Sequence, residues 1–252
     1  MATKRNTPMQ PYYIPGHQRP VRKVLHNYDG DLLFSCSDDG KVAMYDTYQC
    51  IRTGQFDVQS ACTSIDVTKD SKHVLATSVD GVIIFNVKNG SQAASLNIPG
   101  NRKIQVGLSY GDKMFFVVYM DRKTTGIRIY DFANVLNCGD NTPKIVKEII
   151  PNGVTEYTCA VWGPLNKTLY VGTKTGKIQI IDVGSGTILK DTQINTAEIY
   201  QLTMSHDHTM LFTGSRDGIT KLLHPETFEE IRAYNFGGRP CRTVAVSPLH
   251  DS

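Results

Sequence analysis

A repeated polar turn closed by glycine is the feature that most constrains the fold of this chain. Four such turns end apolar strands at residues 37–40, 78–81, 173–176 and 215–218, and a weaker, longer one ends at Gly126. The closing glycines, at positions 40, 81, 126, 176 and 218, are 41, 45, 50 and 42 residues apart. A period of roughly 40 to 45 residues is that of a repeat unit built from four β-strands.

The residues around each turn follow the same order of strands. An alternating strand, a turn and a second apolar strand precede the glycine, and a short β-rich run follows it. The runs stop at Tyr45-Asp46, Phe85-Asn86, Tyr130-Asp131, Ile181-Asp182 and Leu223-His224. These are the positions of the Trp-Asp signature of WD repeats. The sequence therefore predicts an all-β fold, a WD-repeat β-propeller with antiparallel four-stranded blades.

The turns divide the chain into five blades and the beginning of a sixth. We predict blades at residues 16–57, 58–100, 101–153, 154–195 and 196–236, a truncated sixth blade at 237–252, and an N-terminal extension at 1–15 that includes a ring-closing outer strand. A propeller protects its sheet edges by closing the ring, which a lone strand at 241–247 does not do. We therefore expect further blades outside this sequence. The alternative is a five-bladed ring whose last segment packs as a tail.

Composition argues against several classes of protein. The 27 basic and 24 acidic side chains give a formal charge of +3, too balanced to indicate a nucleic-acid-binding surface. No window approaches the eighteen or so apolar residues of a membrane span, and no apolar run follows the basic residues near the N-terminus. The six cysteines lack zinc-ligand spacing. We expect a soluble, cytoplasmic protein that binds no metal and no cofactor.

The residues that catalysis would need are better explained as turns or core. His206, Asp207 and His208 lie where every blade has a turn, and alternation in a strand points adjacent side chains apart. The glycines at 184–186 and 237–238 do not lead from a strand into a helix, as a phosphate-binding loop does. No helix of usual length is predicted, and Trp162 is interpreted as a packing residue. We therefore predict that the protein is not an enzyme.

Tight turns account for a recurring set of aspartates and glycines. An aspartate in such a turn accepts hydrogen bonds that hold it against the neighbouring strands. WD-repeat proteins often place a histidine before the first inner strand to bond to this aspartate, and only the first blade has one. The predicted turn residues are His17, Asp39, Gly40, Asp80, Gly81, Gly176, Asp217 and Gly218.

Basic residues recur near the starts of the inner strands, where they would line one face of the disc. They are Arg19, Arg22, Lys23, Arg102, Lys103, Arg239 and Arg242. A ring of such groups attracts RNA or acidic protein segments. No aromatic residues are interleaved with them, so ordinary solvated charge is the favoured interpretation and direct contact with RNA stays open.

Several segments resemble, in order, the i subunit of eukaryotic translation initiation factor three. They are Gly16-His17 with Arg19, Gly30-Asp31-Leu32-Leu33-Phe34, Lys72-His73-Val74-Leu75, Ala160-Val161-Trp162-Gly163-Pro164-Leu165, Ser215-Arg216-Asp217, Arg239-Pro240 and Ser247-Pro248. The segment at 160–165 is the most specific, because generic WD repeats share the turns but not this run. The likeness covers nearly the whole chain.

The resemblance implies a seven-bladed propeller and a non-catalytic role in translation initiation. Proteins of this family bind the b and g subunits of the same factor and help the assembly sit on the small ribosomal subunit during scanning. Our hypothesis is that a helical tail of the b subunit binds near blades five and six, with Asp217, Arg239 and Arg242 as contacts. One alternative is another WD-repeat adaptor, such as a receptor-associated or RNP scaffold. The other is a propeller enzyme or a direct RNA binder.

Overall fold

The computed structural model describes residues 13–98, 100–122, 124–139, 142–151, 153 and 155–246. Within them the chain forms five antiparallel four-stranded sheets, in each of which the strands pair in chain order. These sheets are the blades of an all-β propeller, and the first strand of each is its inner strand.

The strands are grouped by blade. Blade 1 contains β1 (Val21–His26), β2 (Leu32–Ser37), β3 (Lys41–Asp46) and β4 (Ile51–Asp57). Blade 2 contains β5 (Ile65–Val67), β6 (His73–Thr77), β7 (Gly81–Asn86) and β8 (Gln92–Asn97). Blade 3 contains β9 (Arg102–Leu108), β10 (Met114–Asp121), β11 (Thr124–Asp131) and β12 (Ile145–Ile149). Blade 4 contains β13 (Tyr157–Trp162), β14 (Thr168–Thr173), β15 (Lys177–Asp182) and β16 (Ile188–Gln193). Blade 5 contains β17 (Ile199–Met204), β18 (Leu211–Ser215), β19 (Ile219–Leu223) and β20 (Glu230–Asn235).

A short α-helix, α1 (Phe132–Asn137), interrupts blade 3 between β11 and β12, and a single 3-10 turn, Pro164–Asn166, joins β13 to β14. The Asp131 side chain caps α1 by accepting a hydrogen bond from the Asn134 amide at 2.7 Å. Phe132 and Val135 are buried on its inner side. The sequence shows a polar insertion here without indicating a helix, because six residues are too few for a helical period to show. No helix among the described residues is long and apolar enough to cross a membrane.

The core lies between adjacent blades, in four apolar clusters that join blade 1 to 2, 2 to 3, 3 to 4 and 4 to 5. Trp162 belongs to the third of these interfaces. Its ring lies 5.8 Å from that of Phe116, and its indole N–H donates to the Gly107 carbonyl at 3.0 Å. Trp162 is 3% exposed, so it packs inside the disc and offers no platform for a ligand.

Gly126 does not close a turn as the sequence predicts. It lies inside β11 opposite Tyr119, and the turn of this hairpin falls at Arg122, whose φ is 50°. A Cβ at position 126 would come within 2.7 Å of the Tyr119 ring. The glycine therefore makes room for an aromatic ring across the hairpin.

Polar side chains of the inner strands bridge neighbouring blades. The Gln105 side chain on β9 donates to the Ala160 carbonyl on β13 and accepts from the Ala160 amide, both at 2.9 Å. Asp66 on β5 accepts from the Leu108 amide at 2.8 Å. These bonds are needed because inner strands of different blades do not pair through their backbones, so their polar groups require other partners.

The segment after blade 5 is held by the same kind of bridge. The Gln201 side chain donates to the Val244 carbonyl at 3.0 Å and accepts from the Val244 amide at 3.1 Å. The backbone of Val244 is therefore bonded to blade 5 in the same way as the backbone of Ala160 is bonded to blade 3. No strand is assigned at 237–246 among the described residues, and 247–252 lie outside them, so the sixth blade stays a prediction. The predicted N-terminal outer strand also falls largely outside the described residues, and 13–16 form no strand.

Replacing Gln105 with Leu tests the bridge between blades 3 and 4. We expect the free energy of unfolding to fall by about 1–3 kcal/mol, because the Ala160 amide and carbonyl lose their partners at a buried interface. Urea unfolding followed by tryptophan fluorescence measures it, since Trp162 lies in this interface. Gln49→Leu, at an exposed turn, is the matched control. An equal loss in both variants would contradict the bridging role.

Candidate functional site

The glycine turn of blade 1 is built around a buried His17–Asp39 pair. The His17 Nδ1 atom lies 3.0 Å from one Asp39 carboxylate oxygen, and its Nε2 atom lies 2.8 Å from the Ser35 hydroxyl. Asp39 also accepts from the backbone amides of Gln18 and Lys41. Both side chains are under 10% exposed. The pair therefore fastens the start of blade 1 to the turn between β2 and β3.

Blade 5 repeats this arrangement with asparagine in place of histidine. The Asn195 side chain donates to Asp217 at 3.1 Å and accepts from the Thr213 hydroxyl at 3.2 Å. The amides of Thr196 and Ile219 donate to the same carboxylate at 2.9 Å. The sequence interpretation missed Asn195 because it looked for histidine. The signal was present, since His17 and Asn195 each precede their aspartate by 22 residues.

Asp80 has no equivalent partner. The residue 22 positions before it is Val58, which has no polar side chain. No described side chain or amide hydrogen bonds to the exposed Asp80 carboxylate. The turn is closed instead by Ser78, whose amide donates to the Gly81 carbonyl at 2.8 Å and whose hydroxyl accepts from the Gly81 amide at 3.0 Å. A Cβ on Gly81 would come within 1.8 Å of the Leu96 carbonyl oxygen, so this position requires glycine. The three aspartates therefore share a position without sharing a function.

The other turn glycines are required by backbone conformation. Gly40, Gly176 and Gly218 have φ values of 79°, 87° and 78°, in the left-handed region that favours glycine. A Cβ on Gly218 would also come within 2.8 Å of the Arg239 carbonyl oxygen. The segment at Arg239 thus packs directly on the turn that holds Asp217.

Hydrogen bonding keeps the turn aspartates charged. Burial raises the pKa of Asp39, but the donors at Gln18, His17 and Lys41 outweigh it and hold the pKa below its ordinary value. Asp217 has the same balance, with the Ile219 and Thr196 amides as the main donors. Both carboxylates are acceptors committed to their turns.

The predicted basic ring is not continuous. Lys103 is 2% exposed, and its ammonium donates to the Val79 and Gly100 carbonyls at 2.7 and 2.9 Å. Burial lowers its pKa. In the sequence, a lysine near the start of a strand predicts a surface charge. Here the aliphatic part of the Lys103 side chain crosses the interface between blades 2 and 3. Lys103 therefore does not belong to a charged surface.

Arg22 is partly neutralised by Asp38. Its Nε atom donates to one carboxylate oxygen at 2.7 Å, and a second guanidinium nitrogen contacts the other oxygen. This pairing lowers the pKa of Asp38, and the charges of Arg19 and Arg102 lower it further. Arg22 is thus the arginine that contacts this acid, while Arg19 and Arg102 act on it through their charge, and Lys23 on β1 is half-buried.

Arg239 and Arg242 lie on a separate surface beside blade 5. They line a groove of about 450 Å³ together with Phe236, Pro240, Cys241 and Thr243. Phe236 is 53% exposed, and the Arg242 guanidinium lies 5.3 Å from the centre of the Tyr200 ring. We call these residues the blade 5 groove. It combines apolar area with two cations, which is the composition of a protein-binding anchor site.

The histidines that resemble metal ligands lie in the turn between β17 and β18. Asp207 accepts from the Ser205 hydroxyl at 2.6 Å and from Thr209, and His208 has a φ of 60°. The His208 ring packs edge-on against Tyr110, with 4.5 Å between ring centres. Within the described residues no three His, Cys, Asp or Glu side chains converge on one point in a way that would hold a metal.

Replacing Asp217 with Asn tests the blade 5 turn. Because the folded-state pKa of Asp217 lies below its ordinary value of 3.8, its charge stabilises the fold above about pH 5, and this stabilisation is lost as the pH falls through the folded-state pKa. We expect the variant to lose about 1–3 kcal/mol of unfolding free energy at pH 7 and less at pH 3. Urea unfolding at both pH values measures the difference.

Asp80→Asn is the matched control for this experiment. Its carboxylate lacks such donors among the described residues, so we expect a change within about 0.5 kcal/mol. Equal losses in the two variants, or a loss at Asp217 that does not shrink at low pH, would contradict the assigned role.

Comparison with known proteins identifies a matching repeat family and a solved structure of similar fold. The family described as "WD domain, G-beta repeat" matches residues 9–46 and 187–222. The β-propeller domain of Cps50 (Swd1) from Myceliophteria thermophila, known from a crystal structure, superposes with a TM-score of 0.72 at 17% identity. That match covers 87% of this chain and 72% of the other, and it shows similarity of fold alone.

Curated relatives match nearly the whole length of the chain. Proteins from Xenopus tropicalis and Homo sapiens, both named eukaryotic translation initiation factor 3 subunit I, are 28% and 27% identical to it in alignments 250 residues long, which cover 96% of this chain and 74% of each relative. The Dictyostelium discoideum protein of the same name is 29% identical over 245 residues. The chain is therefore a WD-repeat β-propeller, and these relatives confirm its resemblance to the i subunit of eukaryotic translation initiation factor three.

Proposed function

We propose that the chain is a non-catalytic scaffold subunit of the translation initiation factor three complex. In this role it supports assembly of the complex on the small ribosomal subunit during initiation and scanning, in the cytoplasm. The observation that carries the proposal is the similarity to proteins named subunit I over 96% of the chain. A rigid disc that buries its apolar residues between blades presents stable rims and faces to partners, which suits a scaffold.

The partners in this proposal are the b and g subunits of the same factor. The blade 5 groove supports a contact with one of them, because Arg239, Arg242 and Phe236 offer two cations beside exposed aromatic area. Asp217 contributes indirectly. Its carboxylate is used by the turn, and that turn supports the backbone at Arg239.

Charge reversal in the groove tests the contact. We expect Arg239→Glu with Arg242→Glu to reduce co-purification of the b subunit with tagged full-length chain by about tenfold or more, since two anchor charges are inverted at once. Quantitative immunoblotting of the purified complex measures the loss. Thermal unfolding first establishes that the variant folds.

Lys113→Glu with Lys167→Glu provides the matched control, because it makes the same charge change at exposed turns of blades 3 and 4. Unchanged recovery of the b subunit with the groove variant would exclude the groove as its binding site. Absence of both the b and g subunits from complexes of the unchanged chain would contradict the proposal as a whole and favour another WD-repeat adaptor.

We further propose that the ring has seven blades in the native protein. Two sheet faces support this. On blade 1, the face turned away from blade 2 carries Val24, 53% exposed, beside Val21, 49% exposed. On blade 5, the face turned away from blade 4 carries Phe212 and Leu222, which pair across the sheet and are half-buried. Further blades would cover both faces.

The mass of the native protein tests this ring. We expect intact-mass spectrometry of the protein purified from its own cells to exceed the mass of 252 residues by that of about two blades, or roughly 80 residues. A native mass equal to that of 252 residues would overturn the seven-bladed ring and leave the five-bladed alternative.

A further inference from the structure

The outer strand of blade 2 differs from every other outer strand that the structure describes. The strands β4, β12, β16 and β20 each carry at least one basic and one acidic residue, whereas β8 reads Gln-Ala-Ala-Ser-Leu-Asn and carries none. Charged side chains on an edge strand protect it from pairing with another chain. The edge of β8 therefore lacks the protection that the other four blades have.

The backbone of β8 presents free hydrogen-bonding groups at this edge. Among the residues that the structure describes, the strand is last in its sheet and pairs only with β7. The Ile98 amide donates inward to the Asp80 carbonyl at 2.9 Å. Since amides alternate in direction along a strand, those of Ser95 and Asn97 point away from the sheet. Both residues are exposed, so their amides are accessible to a partner strand.

A groove of about 870 Å³ runs along this edge. All six residues of β8 line it, although successive side chains of a strand point to opposite faces. A cavity on one face of the sheet would contact only every second residue of β8. A cavity that contacts all six residues therefore lies beside the backbone edge of the strand. The opposite wall is formed by blade 3, at Tyr130 and at residues 142–145. The groove therefore has the length and position of one additional strand.

The charges of the groove indicate what occupies it. Its described lining includes Arg128 and Lys144 and no carboxylate. Arg128 is already paired with Glu148 at 2.7 Å. Lys144 is exposed and forms no ion pair with a described residue. A strand lying here thus meets one available cation, and its inward side chains meet the small side chain of Ala94 beside Tyr130.

We propose that β8 accepts an extended peptide segment of a partner protein as a fifth strand of blade 2. Backbone hydrogen bonds to β8 supply the affinity, small or β-branched side chains fill the shallow floor, and an acidic residue pairs with Lys144. This surface lies between blades 2 and 3, away from the blade 5 groove, and neither proposal requires the other.

A synthetic probe tests the strand addition. The probe is a fluorescein-labelled heptapeptide of alternating threonine and valine with one central glutamate, and its binding to the full chain is followed by fluorescence anisotropy. We expect Ala93→Lys, which places a charge on the edge, to weaken binding by about tenfold or more. Ser95→Pro removes an outward amide, a change that edge strands tolerate, and weakens binding to the same degree.

Two matched controls isolate the edge of β8 from general effects. Leu189→Lys introduces the same charge on the exposed outer strand β16 and leaves binding unchanged. A probe with alternate amides methylated cannot donate to β8 and does not bind. Lys144→Glu reverses the preference, so that a probe with lysine in place of glutamate binds more tightly.

Other outcomes overturn the proposal. Equal binding of the methylated probe, or equal binding to the unchanged chain and to Ala93→Lys, would show that no strand is added. Analytical ultracentrifugation gives a second readout. A dimer that Ala93→Lys abolishes would assign the edge to a second copy of this chain. If Ser95→Pro fails to fold, Ala93→Lys and the methylated probe still test whether a strand is added to β8.

Discussion

Face-to-face packing of twisted four-stranded sheets is the constraint on which this structure depends. Blade 3 shows it most clearly. Along β10, Phe115 and Val117 pack against blade 2, while Phe116 and Val118 pack against blade 4. Both faces of the sheet are apolar, so a blade needs a neighbour on each side to remove them from water. A circular array meets this need with repeated contacts of one kind, and it leaves the edges of the outer strands open to solvent.

This arrangement determines where polar chemistry is found. The interiors between blades are filled by apolar clusters, so buried polar groups occur where a backbone must be fastened. Gln105 and Gln201 bridge inner strands, and Asp39 and Asp217 hold turns. Each of these side chains is engaged by several donors or acceptors. They stabilise the disc, and the groups available to partners lie elsewhere, in the blade 5 groove and along the edge of β8.

The site residues show how far sequence reasoning reaches. Asp39 and Asp217 were identified from their place in the repeat, and a spacing of 22 residues would also have identified Asn195 beside His17. The same spacing distinguishes Asp80 from the other two aspartates, since Val58 has no side chain that can form a hydrogen bond. Lys103 could not have been assigned this way. Whether a lysine at the start of a strand is solvated or buried depends on how the adjacent blade packs against it. The local sequence does not show this packing.

The sequence by itself determined the repeat, the order of strands within each blade and the family resemblance, because turn glycines and strand alternation are local patterns set by backbone sterics and pleat. Tertiary structure alone decided which polar residues bridge blades, that Gly126 accommodates the Tyr119 ring instead of closing a turn, and that the β8 edge faces a groove lined by Arg128 and Lys144. Those features arise between residues distant in the chain, and their geometry follows from how one sheet packs on the next.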